Sequence, residues 1–353
     1  MSIISRYIFG RVFASMVGVL LAIVSLDAIT AFVDQVGDVE EDYTVLEALY
    51  HSILEIPGSL DEYLGFSALI GAMLGLGSFA NSGELTVMRT AGYSMVRIGW
   101  KVMQPAFLLI IIGALVNEFI APDLEQLAES RRDILRGKVS GTIQETGLWI
   151  YDKGTYVHMG AVYPGGPIYG LARYDLNPET DELAVSYADQ ARFDGVTWTE
   201  ADAVWSKVTP NQVTKGDYEL EFWDTDLTPD LLGMSVLDAD QLSARDLDEY
   251  SQYLGEQTRQ AREYQVQFWI KILQPLSVAA LVFVGISFVV GSNRQVSIGE
   301  RIFVGVIVGV TFKVLQDILG PAATVWGYSP LLAVLGPTIL IMGFGLLLIR
   351  LRQ

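Results

Sequence analysis

Lys313 and Asp317 stand four residues apart in a largely apolar run with no other charge, and Asp27 is the single charge of another such run. A charge in lipid is costly unless it is paired or faces a wet cavity. The spacing of four puts Lys313 and Asp317 on one helix face, which allows an ion pair one turn apart. The ammonium has two other structural options: to snorkel outward along its alkyl stem, or to pair with Asp27, which lies at a similar depth on its own run. A functional use of the same groups is contact between Lys313 and an anionic headgroup, with Asp27 holding the ammonium while the cavity is empty. A proton relay through Asp27, Lys313 and Asp317 is the corresponding reading for a secondary transporter.

Little else in the chain has the pattern of a reaction centre. His51 stands alone in an acidic stretch and His158 alone between strand-forming residues, so neither has ligands spaced for a metal or a Ser-His-Asp partner set. There is no cysteine, which removes disulfides, thiolate metal sites and cysteine nucleophiles. No Gly-x-x-x-x-Gly-Lys-Ser/Thr phosphate loop occurs either, so any ATP hydrolysis that drives this protein belongs to another chain. The expectation is a non-enzyme with no catalytic, cofactor or metal site of its own.

One polar loop has the pattern of a docking element. The segment Asn81-Ser-Gly-Glu-Leu-Thr-Val-Met-Arg-Thr-Ala-Gly-Tyr-Ser94 opens with residues suited to a helix N-cap and reaches a stop at Gly92. Glu84 falls in the first turn, where the helix dipole favours an anion. Leu85, Val87 and Met88 supply a small apolar face. Such a helix either lies flat on the lipid surface or docks as a knob in the groove of a partner.

These residues need a membrane frame. Of 353 residues 51% are hydrophobic, yet there are 41 Asp/Glu against 23 Lys/Arg, so apolar and charged residues must be segregated into blocks. The net charge of -18 argues against nucleic acid as a partner. Six runs have about the 20 apolar residues that a helix needs to cross a bilayer: 12–33, 63–83, 102–121, 272–293, 302–320 and 330–349. The first follows residues without a cleavage motif and is read as a retained helix. The short segments on one side hold Arg6, Arg11, Arg89, Arg97, Lys101, Arg294, Arg301, Arg350 and Arg352 against Glu84 and Glu300, which predicts that side and both termini to be cytoplasmic. The opposite segment, 34–62, is rich in Asp and Glu and has no Lys or Arg.

Between the third and fourth spans the chain turns polar. A helix over 123–137 is expected to lead into short strands at 147–151, 155–159, 168–174, 184–193, 196–205 and 218–223, with turns at Asp194-Gly195 and Asn177-Pro178. Strands of this length and spacing suggest a sandwich, jelly roll or open barrel. A helix over 242–264 then enters the fourth span. Trp149, Tyr151, Tyr156, Trp198, Trp205, Phe222 and Trp223 are expected to fill the β-domain core, ahead of lining an acyl-chain groove. The organisation is therefore 1–121, spans one to three with the 81–94 loop; 122–265, an inserted all-β domain with flanking helices; and 266–353, spans four to six.

Four runs carry a resemblance: Phe32-Val-Asp-Gln35, Glu84-Leu-Thr-Val-Met-Arg-Thr-Ala-Gly92, Gln274-Pro-Leu-Ser277 and Leu319-Gly-Pro321. In this order and spacing the chain resembles the LptF/LptG family of lipopolysaccharide-export permeases along essentially its whole length. The first and third runs favour the LptG branch. The resemblance implies six transmembrane helices around a periplasmic β-jellyroll in the inner membrane of a Gram-negative bacterium. It also implies a heterodimer with an LptF-like paralogue and an LptB-like ATPase dimer that carries the ATP and magnesium. Lipopolysaccharide would be extracted from the outer leaflet through a lateral gate between the first and fifth spans of opposing subunits, and the β-jellyroll would pass it onward to LptC-like and LptA-like proteins. Glu84, Leu85, Val87, Met88, Arg89 and Gly92 would form the coupling helix that receives the ATPase's motion.

One stretch departs from the enterobacterial pattern. The end of the first span, where those proteins carry lysines toward the phosphorylated sugars, here reads Ala31-Phe-Val-Asp-Gln-Val-Gly-Asp-Val-Glu-Glu41. Carboxylates there would repel a bisphosphorylated headgroup. Lys313 is the expected compensation, with Arg131 and Arg132 as alternative anion contacts in an amphipathic helix where solvation is the ordinary state. An ATPase-coupled mechanotransmitter, moving an outer enzyme without carrying a substrate, would share the topology but would need no charges inside its spans.

Overall fold

The computed structural model describes residues 3–40, 42–136, 147–162, 166–177, 182–235, 237–255, 259–290 and 297–351. Glu41, Gly137, Pro178, Asn293, Arg294 and Arg352, which enter the expectations above, lie outside the described residues. In chain order the elements are α1 (Ile3–Val36), α2 (Val45–Asn81), α3 (Glu84–Thr90), α4 (Met95–Phe119) and α5 (Ala121–Leu135). Strands β1 (Leu148–Asp152), β2 (Thr155–Val162), β3 (Ile168–Asn177), β4 (Glu182–Phe193), β5 (Trp198–Thr209) and β6 (Gln212–Trp223) follow. The chain closes with α6 (Pro229–Met234), α7 (Ala244–Tyr253), α8 (Arg259–Val290), α9 (Ile298–Trp326) and α10 (Pro330–Leu351). Among the described residues, helices α1, α2, α4, α8, α9 and α10 are the six long and apolar enough to cross a membrane.

The helices outrun the apolar stretches that announce them. α2 starts at Val45 rather than near residue 63, because Leu46, Glu47, Ala48, Leu49 and Leu54 are good helix formers. One side of that extension is packed, with Ala48, His51, Ser52 and Leu54 buried, and Pro57 is accommodated within the helix. The expected helix over 242–264 is two helices: α7 ends at Tyr253, and Gly255, with φ +79°, takes the left-handed conformation that interrupts the run.

Contacts divide the chain into two compact units. One comprises Met1–Gly37, Leu49–Glu125 and Ala239–Gln353, and the other Asp38–Ala48 and Gln126–Asp238. The acidic segment 38–48 thus belongs with the strands, and 239–265 with the spans. In the helical unit the core joins Ile8, Val12 and Met16 of α1, Leu69, Met73 and Leu76 of α2, Ile98 and Val102 of α4, and Val278 and Val282 of α8. In lipid, helices associate through close packing of small residues. At Gly71 a Cβ would come within 2.7 Å of Met16 N and Cγ, and closer to its Cα, so the α1 and α2 backbones touch. Ser277 of α8 and Thr338 of α10 share a buried hydrogen bond of 2.9 Å.

In the other unit the six strands form one antiparallel sheet in consecutive order, a meander. Asp194-Gly195 is the β4–β5 turn: the Asp194 carboxylate accepts the Val196 and Thr197 N–H groups at 2.9 Å each. These bonds lower the Asp194 pKa. At Gly170, with φ +62°, the alternation breaks without a change of register: Ile168 and Leu171 are both buried while Tyr169 is exposed.

The aromatic expectation needs correction. Trp198 and Trp223 are buried, and the Trp198 indole donates to the Leu227 carbonyl at 2.7 Å. Trp149, Tyr151, Tyr156 and Phe222 are each more than half exposed. A single antiparallel sheet covers one face and leaves the other open, and alternation alone does not say which face an aromatic residue takes.

Candidate functional site

Helix α3 is short, and its local sequence explains how it is held. Gly83, at the N-cap position with φ +77°, offers no side-chain cap, and Asn81 ends α2 instead of starting α3. The C-terminal turn closes with Tyr93 N–H donating to the Met88 carbonyl at 3.0 Å and Gly92 N–H to Arg89 at 3.0 Å, with Gly92 at φ +89°. Leu85 and Met88, three residues apart, turn inward and join the helical core. Val87 is 66% exposed, and Arg89 is exposed beside it. The apolar residues of this segment therefore divide: two anchor the helix and one is presented.

Glu84 ties the same segment to α1. Its carboxylate accepts from Ser82 Oγ at 2.8 Å and lies 3.2 Å from Arg11 Nη1. Arg11 in turn donates to the Tyr7 hydroxyl at 2.8 Å and lies 5.2 Å over the Phe79 ring. The Ser82 hydroxyl, with Tyr7 and Arg11 adding to it, lowers the Glu84 pKa, so this carboxylate stays charged.

Toward the other end of α9, Lys313 Nζ lies 3.5 Å from Asp317 Oδ1 and 3.5 Å from Glu62 Oε1 of α2. The expected link from Lys313 to Asp27 is absent among the described residues. Asp27 instead accepts from Ser59 at 2.6 Å and Tyr63 at 2.7 Å. The reason is the extension of α2, which puts hydroxyl donors beside Asp27 and a carboxylate beside Lys313. Further polar residues complete this end of the helical unit. Lys271 of α8 donates to Asn117 at 3.3 Å, and Gln274 donates to Asp61. Glu118 accepts the Ala244 N–H at 2.9 Å, at the start of α7.

Sequence reasoning missed Glu62, Ser59, Tyr63, Asp61 and Lys271. Residues 55, 59, 62 and 63 have helical spacing, which was the available signal; Lys271 fell one position outside the expected span. His51 is not isolated either: it is buried on α2, with Nε2 3.4 Å from Glu55.

In the sheet unit the acidic segment is matched by arginines. Arg131 makes a bidentate pair with Glu47, at 2.7 and 2.8 Å. Arg132 contacts Asp38 at 2.5 Å and Glu129 at 3.1 Å, and Arg136 contacts Asp38 at 3.2 Å and Glu40 at 3.7 Å. Arg131 and Arg132 are thus engaged by carboxylates rather than merely solvated.

Comparison with known proteins adds the family. The model of the family described as lipopolysaccharide export system permease LptF/LptG matches residues 6–351. The lipopolysaccharide export system permease protein LptG of Escherichia coli (strain K12) is 34% identical over 342 residues, covering 95% of this chain and 94% of that protein. Its namesake in Haemophilus influenzae is 30% identical over 341 residues, covering 96% and 95%. A match of this extent, with relatives at this identity along nearly their whole length, means that the chain belongs to the LptF/LptG family of lipopolysaccharide export permeases.

Proposed function

We propose that the chain is the LptG-type permease subunit of an ATP-driven exporter. It takes lipopolysaccharide from the outer leaflet of the inner membrane and passes it to a periplasmic bridge. In this reading it pairs with an LptF-like paralogue. An LptB-like ATPase dimer holds ATP and magnesium, and LptC-like and LptA-like proteins receive the lipid. The distribution of Lys and Arg beside the spans supports cytoplasmic termini and a periplasmic sheet. α1 and α9 are the least buried of the six spans, which leaves them faces for the paralogue and the substrate.

The observation that carries the coupling part of this reading is the construction of α3. Leu85 and Met88 fasten it to the core of the spans, while Val87 and Arg89 stand out from it. A push on the exposed residues is therefore delivered to α1 and α2 instead of being absorbed by a loose loop. The test is Val87→Asp with Arg89→Glu in the full complex. The expected result is loss of the co-purifying ATPase and of ATP-dependent lipopolysaccharide release from proteoliposomes. Wild-type release by the double variant overturns the docking role. Isolation of the native protein without an ATPase, a paralogue or a multi-acyl glycolipid overturns the exporter reading.

A further inference from the structure

Four residues of α9, spaced by four, line one seam along α2. Arg301 meets Asn81 and Gly77, Gly305 meets Ile70, Gly309 meets Phe66, and Lys313 meets Glu62. The α2 partners descend in number as the α9 residues ascend, so the helices run antiparallel, with the i±4 ridge of α9 laid on α2. The seam has a polar contact at each end and glycines between.

Arg301 is the unusual member. It is 3% exposed, and among the described residues no carboxylate lies within ion-pair distance. Its Nη2 donates to Asn81 Oδ1 at 2.8 Å. Glu300, its neighbour in the chain, acts on it only from beyond ion-pair distance, and a buried guanidinium so weakly matched is costly and fits only where the surroundings are shaped for it. Gly77 does that shaping: a Cβ there would lie 2.6 Å from Arg301 Nε and closer still to Cζ and Nη1. In the middle of the seam a Cβ on Gly305 would come 2.8 Å from Ile70 Cγ1, and one on Gly309 2.6 Å from Phe66 Cδ1. Sliding α9 by a turn would set Lys313 against Phe66 or Arg301 against Ile70, where glycines now sit.

The place of the Arg301 contact gives it a use. Asn81 is the last residue of α2, and α3 begins at Glu84. Movement of α3 reaches Asn81 through two intervening residues. We propose that Arg301 is a positioning residue that joins α2 and α9 into one rigid strut, carrying movement of α3 to the Lys313 end of α9. This rests on the exporter reading above and adds a route within the chain. The strut stays closed through the transport cycle.

The chain has no cysteine, so Ile70→Cys with Gly305→Cys introduces its only thiol pair. The test is lipopolysaccharide release per ATP hydrolysed by the full reconstituted complex, with that pair oxidised or reduced. Release is expected to be equal in the two states. Arg301→Ala is expected to hydrolyse ATP but release about tenfold less lipid per ATP, and the disulfide is expected to restore the ratio in that background. A disulfide that forms and arrests release overturns the rigid strut, as does an unchanged ratio in Arg301→Ala. If Arg301→Ala does not accumulate, the disulfide in the otherwise native chain decides. Failure of the unmodified complex to release lipid with ATP overturns the exporter reading itself, and the strut with it.

Discussion

Lys313 of α9 lies 3.5 Å from Glu62 of α2 and equally far from Asp317 on its own helix, so one ammonium serves two carboxylates. Among the described residues Asp27 takes no part in this, since Ser59 and Tyr63 already occupy it. Lys313 stays partly exposed beside these two carboxylates, so an anionic headgroup that met it would compete with Glu62 and Asp317 for the ammonium. Lys313→Ala leaves two neighbouring carboxylates without a counter-charge and is expected to lower the melting temperature of the detergent-solubilised complex by about 2–4 °C. Glu62→Gln, which leaves Asp317 in place, should change it less. If Lys313 also meets substrate, Lys313→Ala abolishes lipopolysaccharide stimulation of ATP hydrolysis; unchanged stimulation and export would remove that contact.

The acidic segment after α1 raises an electrostatic problem that the arginines of α5 and Arg136 just after it address. Asp38, Glu40 and Glu47 are each matched by Arg131, Arg132 or Arg136. Arg132→Ala together with Arg136→Ala removes the two arginine contacts of Asp38 described above. Protease cleavage within 37–44 is expected to rise several-fold in the full chain, and wild-type cleavage to rise with salt as these half-exposed pairs are screened. An unchanged cleavage rate in the double variant would mean that the arginines do not hold the segment.

The spans were legible because lipid demands uninterrupted apolar length, and hydropathy reads length directly. Helical turns beyond the lipid were not, since α2 from Val45 and α8 from Arg259 continue on helix propensity and on packing of a single side. This hid Glu62 and Lys271 from the candidate site. In the sheet, the β5–β6 hairpin runs through Lys207 and Lys215, whose polarity conceals the alternation expected of strands. The split of Leu85 and Met88 from Val87 is a matter of which way a seven-residue helix is rotated, and composition carries no information about that.

Gly71 and Gly18 look alike in the sequence and differ in surroundings. A Cβ at Gly71 meets the Met16 backbone and Cγ, while at Gly18 nothing lies within 4 Å. Backbone cannot yield as a flexible side chain does, so Gly71→Ala is expected to reduce the amount of folded protein recovered from membranes severalfold. Gly18→Ala should be neutral or slightly stabilising, as alanine is the better helix former. Equal recovery of the two variants would contradict the close α1–α2 approach.

Glu125 of α5 sets a pH dependence. Its carboxyl packs on α2 at Gly58, where a Cβ would lie 2.9 Å from Cδ and closer to Oε1. Burial raises its pKa from 4.5 to about 7; Lys271 opposes this, and Asp240, Glu55 and Asp61 add to it. Between these two values the folded state holds the proton more tightly than the unfolded chain does. Stability contributed by the neutral form is therefore fully present below about pH 4.5, is lost as pH rises toward 7, and changes no further above that. The loss is about 1–3 kcal/mol after allowing for partial exposure. Glu125→Gln cannot ionise, so its melting temperature should match the wild type at pH 5 and exceed it at pH 8, measured on the intact complex in detergent. Parallel melting curves for the two proteins across that range would show that Glu125 remains an ordinary carboxylate.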